Sequence, residues 1–299
     1  MSPAAPPPLD QFITTDDLSD LIRKARREDL GPEELDVTSA ALIGHQCIAQ
    51  GHLVVREPGR LAGIALLCTI AAVYDPSLNV QLNRSDGDQV SPADVIASIE
   101  GPMENLLAME RVALNFISHL SGIATLTNQY VIATADTRAK IYDTRKTLPG
   151  LRGLQKYAVV CGGGYSHRTG LYDAMLIKDN HLCQIPRPRL RQYLSQAIHQ
   201  VRLEQLSLEF IEVEIDRLDQ LAPALEAGAQ IVLLDNMTPD QLRQAVEVRD
   251  RTAKDRLLEA SGGINLATIG AIAKSGVDRI AVGALTHSAP ALDIGLDFA

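Results

Sequence analysis

The second half of this 299-residue chain repeats one pattern that leaves few folds open to it. Short runs rich in aliphatic residues recur at 139–143, 174–177, 210–215, 230–234, 257–260 and 279–282. Helical periodicity fills several of the gaps between them, at 188–204, 219–227, 239–253 and 266–275. Strand and helix in alternation imply parallel strands joined by right-handed crossovers. Six such units over about 150 residues suit either a (β/α) barrel or an open doubly wound sheet.

The residues that end each run choose between the two. In chain order they are Asp143, Arg145 and Lys146; Lys178, Asp179 and Asn180; Glu212, Glu214 and Asp216; Asp235 and Asn236; Ser261, Gly262 and Gly263; and Gly283. A doubly wound sheet concentrates function at one switch point, whereas a barrel collects it from the C-terminal end of many strands. Polar or glycine residues at every strand end therefore predict a barrel with its site on that rim.

Charge sharpens the prediction. Between Lys140 and Lys178 lie seven basic residues (Lys140, Arg145, Lys146, Arg152, Lys156, Arg168 and Lys178) against only Asp143 and Asp173, in a chain whose net charge is −9. A positive island in an acidic protein suits a small polyanion, and the planar fork of Arg can grip a carboxylate or phosphate with two bonds. Lys140, Arg152 and Lys156 taken singly read better as ion pairs along crossovers. Arg145, Lys146, Arg168 and Lys178 read as a site. Ser261-Gly262-Gly263 and Gly283, after the last strands, are placed where barrels commonly hold a phosphate. Glu214 and Asp235, at neighbouring strand ends, suit ribose hydroxyls, Mg²⁺ or a developing positive charge.

The remaining features mostly exclude. A net negative charge, no Trp and 4% aromatic residues argue against nucleic acid as a partner. The apolar, uncharged stretch 61–74 is shorter than the ~18–20 residues of a membrane span. Cys47, Cys68, Cys161 and Cys183 form no CxxC pair, and no basic-then-apolar leader opens the chain, so a reduced, cytoplasmic protein is expected. Residues 1–9 read as a Pro/Ala-rich lead-in. A helix capped by Thr15 or Asp16 is expected next, carrying Leu18, Leu21, Ile22 and Ala25 on one face. Strands near 52–56 and 78–83, a buried helix over 61–73, an apolar segment at 90–99 and two helices over 103–120 and 122–135 complete a mixed α/β first half. Domain limits of 1–120 and 121–287 follow, with the tail 288–299 expected to pack on the first domain.

Several motifs now stand in order: Glu28-Asp29-Leu30-Gly31, Asp36-Val37-Thr38-Ser39, Glu110-Arg111-Val112-Ala113-Leu114-Asn115 and Leu120-Ser121-Gly122-Ile123-Ala124-Thr125. Asp143-Thr144-Arg145-Lys146-Thr147, the stretch from Cys161 to Arg168, Leu176-Ile177-Lys178-Asp179-Asn180-His181, Glu212-Val213-Glu214 and Leu234-Asp235-Asn236-Met237 follow. Glu259-Ala260-Ser261-Gly262-Gly263 and Val282-Gly283-Ala284-Leu285-Thr286-His287 close the series. From about Asp17 onward the chain resembles the quinolinate phosphoribosyltransferase (nicotinate-nucleotide pyrophosphorylase, carboxylating) family. It departs from the usual pattern at Ser166 and Leu148, neither of which removes a charge.

The resemblance implies an α/β sandwich-like first domain followed by an incomplete α/β barrel of about six to seven parallel strands. It implies that quinolinate and phosphoribosyl pyrophosphate, with Mg²⁺, give nicotinate mononucleotide, pyrophosphate and CO₂, a step of NAD biosynthesis. It assigns the quinolinate carboxylates to Arg145, His167, Arg168 and Lys178. The phosphoribosyl pyrophosphate subsite falls to Lys146, Glu214, Asp235, Ser261, Gly262, Gly263 and Gly283, with His287 near a phosphate. Lys146, Lys178, Glu214 and Asp235 are the expected catalytic groups, and Glu214 and Asp235 the expected metal ligands. A homodimer, open to higher assembly, is implied, with Arg111 reaching the neighbouring site. Three rival readings are a Schiff-base lyase using Lys178, a protein of the same fold acting on another anion, and an anion sensor without turnover.

Overall fold

The computed structural model describes residues 6–43, 47–204 and 206–298. The first five residues of the expected lead-in thus lie outside the described residues. Two compact units divide the chain. One comprises the described residues up to Asn128, Leu148–Gly163 and those from Ser288 onward; the other is Gln129–Thr147 and Gly164–His287.

The first unit is built on β1 (Ile48–Val55), β2 (Gly59–Arg60), β3 (Asn79–Leu82), β4 (Gln89–Val90) and β5 (Val95–Pro102). The second contributes β6 (Lys140–Tyr142), β7 (Met175–Ile177), β8 (Ile211–Ile215), β9 (Ile231–Asp235), β10 (Leu257–Ser261) and β11 (Arg279–Ala281), after which β12 (Ile294–Phe298) returns to the first. An antiparallel sheet in the order β12-β1-β5-β3 forms the first unit's frame, and β2 pairs with β4 separately. Its apolar side buries Leu53, Val55, Ile96 and Ile99 together with Leu66, Leu67 and Ile70 of the helix Leu66–Tyr74. The helix Thr15–Leu30 packs on that helix through Leu18 and Ile22. Thr14, in extended backbone, caps it by accepting the Asp17 N–H; Thr15 and Asp16 are already helical.

Two expectations change. The segments 103–120 and 122–135 form one helix, Met103–Ala133. Ser121 and Gly122 are there for packing: Ser121 Oγ accepts the Ala62 N–H at 3.1 Å, and a Cβ on Gly122 would collide with the Pro290 carbonyl oxygen. The helix Arg152–Cys161, placed by sequence with 121–287, clusters instead with the first unit. Its contacts explain why. Tyr157 Oη donates to Asp86 at 2.8 Å and its ring meets Phe12 edge-on, while Gln155 bonds to His119.

The second unit is a six-stranded parallel sheet ordered β6-β11-β10-β9-β8-β7. Among the described residues no ladder joins the end strands β6 and β7. An isolated bridge, Tyr142 to Tyr165, lays the chain after Gly164 beside β6, with Tyr165 N–H to Ile141 O at 2.8 Å. An incomplete barrel results. No helix among the described residues is long and apolar enough to cross a membrane.

Gly122→Ala should destabilise the protein by about 1–3 kcal/mol, because the added methyl must displace backbone; a denaturation midpoint equal to wild type would contradict the close approach. His119 offers a pH test. The Gln155 amide oxygen accepts the Leu148 N–H, so its NH₂ donates to His119 Nε2, and burial lowers the His119 pKa. Above the unfolded-state value of about 6.5 the ring is neutral in both states and costs nothing. Below it the unfolded chain takes up the proton more readily, so stability should fall with pH. His119→Asn should flatten that acid limb; a thermal-stability profile parallel to wild type between about pH 7 and 5 would argue against this account.

Candidate active site

In-register parallel pairing sorts the barrel's inward side chains into layers, because alternate residues of a strand share a face. β8 and β9 align Glu214 with Leu233, and β9 and β10 align Leu233 with Glu259 and Asp235 with Ser261. A cavity of about 460 Å³ opens at the C-terminal ends of these strands. Its walls hold Arg145, Lys146, His167, Arg168, Lys178, Glu214, Asp235, Ser261, Gly262, Gly263, Gly283 and His287. Every predicted site residue of the barrel half thus meets in one place. Arg111 lies in the first unit, its side chain 64% exposed and its guanidinium 3.9 Å from Glu110.

The loops explain the glycines. Gly262 has φ +92°, and a Cβ there would run into Asn236, whose N–H is held by Ser261 O at 2.9 Å. A Cβ on Gly283 would meet the Lys146 side chain at 3.0 Å and His287 at 3.2 Å, so the bare backbone lets both pass. Thr286 Oγ1 donates to Lys146 O at 2.7 Å and ties the two loops together.

Cations gather around the opening. Arg168 is 6% exposed, and burial, then the neighbouring Arg145 guanidinium, pushes its pKa down. Arg145 Nε is buried with no hydrogen-bond partner among the described residues. Two guanidiniums that repel one another, one with a spare donor, form a receptor for an anion. Lys178 Nζ lies 3.2 Å from Glu214 Oε2. That contact engages the lysine nitrogen, whereas a Schiff base needs a free amine.

Glu214 and Asp235 have the oxygen chemistry that a hard cation takes. They are carboxylates on adjacent strands in the same cavity as the glycine loop, and Asp235 Oδ2 already orients Asn236 at 2.7 Å. Mg²⁺ commonly takes only one or two carboxylates and completes its shell with water and substrate phosphate.

Beneath the rim His167 meets Glu212 and Glu259, and Glu259 meets Arg279, three residues that the sequence did not mark as site residues. His167 Nε2 is 3.1 Å from Glu212 and 3.3 Å from Glu259, and Arg279 Nε binds Glu259 at 2.6 Å. Both glutamates are fully buried. The Arg279 guanidinium stacks 3.8 Å over the Tyr142 ring. Burial opposes charge on His167 and the two glutamates favour it, but Nδ1 accepts the Arg168 N–H and so carries no proton; the ring's one proton sits on Nε2, facing the glutamates. Burial and then the Glu259 charge hold Glu212 above the usual carboxylate range. For Glu259, burial is outweighed by His167 and Arg279, and its pKa is lowered. His167, Glu212 and Glu259 have donor atoms close enough to hold a metal. Arg279 already supplies the positive charge there, so the trio reads as an ion network. Breaking such a network by removing one partner costs about 3–5 kcal/mol. Period two was the available signal: Glu212 and Glu259 stand two residues before Glu214 and Ser261, on the same faces.

Comparison with known proteins agrees with this geometry. Residues 123–297 match the family described as quinolinate phosphoribosyl transferase, C-terminal domain, and residues 36–121 match its N-terminal domain. The nicotinate-nucleotide pyrophosphorylase [carboxylating] of Mycobacterium leprae is 43% identical over 280 residues, covering 93% of this chain and 96% of its own. NadC from Streptococcus pyogenes superposes with a TM-score of 0.86 at 37% identity, covering 96% and 99% of the two chains. The nicotinate-nucleotide pyrophosphorylase structure from Francisella tularensis gives 0.83 at 35% identity, covering 95% and 96%. A half-open parallel barrel with its charged cavity, an antiparallel first unit and matches spanning both place this chain in the quinolinate phosphoribosyltransferase family.

Proposed function

We propose that this protein transfers the phosphoribosyl group of phosphoribosyl pyrophosphate to quinolinate with loss of CO₂, giving nicotinate mononucleotide and pyrophosphate. One observation carries the reading: four cations (Arg145, Lys146, Arg168 and Lys178) and two carboxylates (Glu214 and Asp235) wall a single cavity at the strand ends. Both substrates are multiply anionic, and the cations supply the matching field. Arg145, Arg168 and Lys178 orient the diacid. Lys146, the Ser261–Gly263 loop, Gly283 and His287 line the side that takes the pyrophosphate.

As pyrophosphate leaves, positive charge grows on the ribose, and Glu214 and Asp235 stand where fixed negative charge lowers that barrier. The ring nitrogen forms the new bond to the ribose carbon and becomes a pyridinium. The bond to the adjacent carboxylate then breaks, and its electron pair stays on the ring carbon beside the positive nitrogen until a proton quenches it. Glu214 and Asp235 are also the residues that would hold Mg²⁺, which when bound would screen the pyrophosphate charge. No side chain needs to form a covalent intermediate. Arg111, exposed on its helix, supports a homodimer in which it serves the neighbouring site. A cytoplasmic setting accords with four free thiols.

Labelled CO₂ should be released from quinolinate labelled in its 2-carboxylate only when phosphoribosyl pyrophosphate and Mg²⁺ are both present. Release without either, or none from folded protein, would rule the reaction out. Arg168→Lys should weaken quinolinate binding by about 1.5–3 kcal/mol, since a bidentate, charge-assisted grip is lost; titration showing wild-type affinity would remove Arg168 from the diacid site.

A further inference from the structure

The family resemblance places His167 among the groups that touch quinolinate carboxylate, yet the hydrogen bonds around the ring leave it no nitrogen to offer. Nδ1 accepts the Arg168 backbone N–H at 2.8 Å. Nε2 faces Glu212 at 3.1 Å and Glu259 at 3.3 Å. The His167 N–H is itself held by Asp143 Oδ1 at 2.8 Å, and the ring meets Phe210 and Tyr142 edge-on at 5.2 and 6.3 Å. The surface that His167 adds to the cavity wall is therefore C–H and π surface.

From these contacts we infer that His167 is a positioning residue, which acts on quinolinate through Arg168, and that Glu212 and Glu259, with Arg279, are the groups that hold it in place. The inference rests on the functional reading above and deepens it. Apart from His167 Nε2, the Glu212 oxygens have no partner among the described residues, so the ring cannot turn toward the cavity without stranding a fully buried carboxyl group. Arg279 holds Glu259 from the other side at 2.6 Å. In consequence the Arg168 N–H, and with it the start of the Arg168 side chain, is set from behind the cavity wall, by a layer of which Glu259 borders the cavity while Glu212 and Arg279 do not. Glu212 and Glu259 replace aliphatic residues in this layer, where Leu176 and Leu233 are the in-register neighbours of Glu212 and Glu259 respectively. Filling the layer with leucine would have packed the barrel but left the histidine unanchored.

The test is binding of quinolinate and of phosphoribosyl pyrophosphate, measured separately by calorimetric titration on the full-length protein. Glu212→Leu should raise the quinolinate Kd at least tenfold and leave that of phosphoribosyl pyrophosphate within about twofold. Glu212→Gln, whose amide oxygen still accepts from Nε2, should restore quinolinate binding to within a few-fold of wild type. Equal losses for both ligands, or wild-type quinolinate affinity in folded Glu212→Leu, would overturn the inference. Should Glu212→Leu not fold, a double-mutant cycle decides. His167→Asn and Arg168→Lys combined should bind quinolinate no worse than about threefold below the weaker single variant, because one acts through the other. Losses that multiply would mean that His167 grips substrate independently, which overturns the inference alone. Absence of quinolinate binding to the wild type would bring down the functional reading and this inference together.

Discussion

The site depends on in-register parallel pairing between β8, β9 and β10. Once Glu212 lies beside Ile231 and Leu233 beside Glu259, every second residue along these strands is committed to the barrel interior. A slip of one residue in any of them would send Glu214, Asp235 or Ser261 to the helix-covered side and bring Val213, Leu234 or Ala260 inward. The catalytic rim is thus a consequence of a register that the buried aliphatic faces of Ile211, Val213, Val232, Leu234 and Leu258 enforce.

That register leaves an unusual second layer. Two fully buried glutamates, a buried histidine and an arginine cluster at the floor of a cavity that is itself strongly cationic, with His167 and Glu259 bordering it. Buried ion networks give little net stability compared with well-packed apolar side chains. Here the network serves position: it fixes the His167 ring, which takes the Arg168 N–H, on a stretch of chain held to β6 by one isolated bridge. The gap between β6 and β7 is where the barrel lacks a ladder, and the ionic layer supplies the order that ladder hydrogen bonds would otherwise give.

Much of the barrel half could be read directly. The six strands fall where the aliphatic runs end in polar residues, and all twelve barrel-half site residues line one cavity. Their legibility has a simple cause: strand periodicity and strand-end chemistry are local, and a barrel brings all its strand ends to one rim. The first unit was harder. Gly122 looks like a helix break because glycine weakens helices, but its role depends on Pro290, far along the chain, whose carbonyl passes against it. The helix Arg152–Cys161 lies in sequence between two barrel strands, yet its partners Phe12, Asp86 and His119 come from the first unit.

By itself, then, the sequence determined the alternating strands and helices, the rim chemistry and the charge that calls for a polyanion. These are properties of residue type and spacing along one chain. Tertiary structure alone decided that Glu212 and Glu259 converge on His167, that Arg279 balances them, and that both imidazole nitrogens are spent before any substrate arrives. Which charges neutralise one another depends on distances between strands, and those distances exist only after the barrel has rolled up.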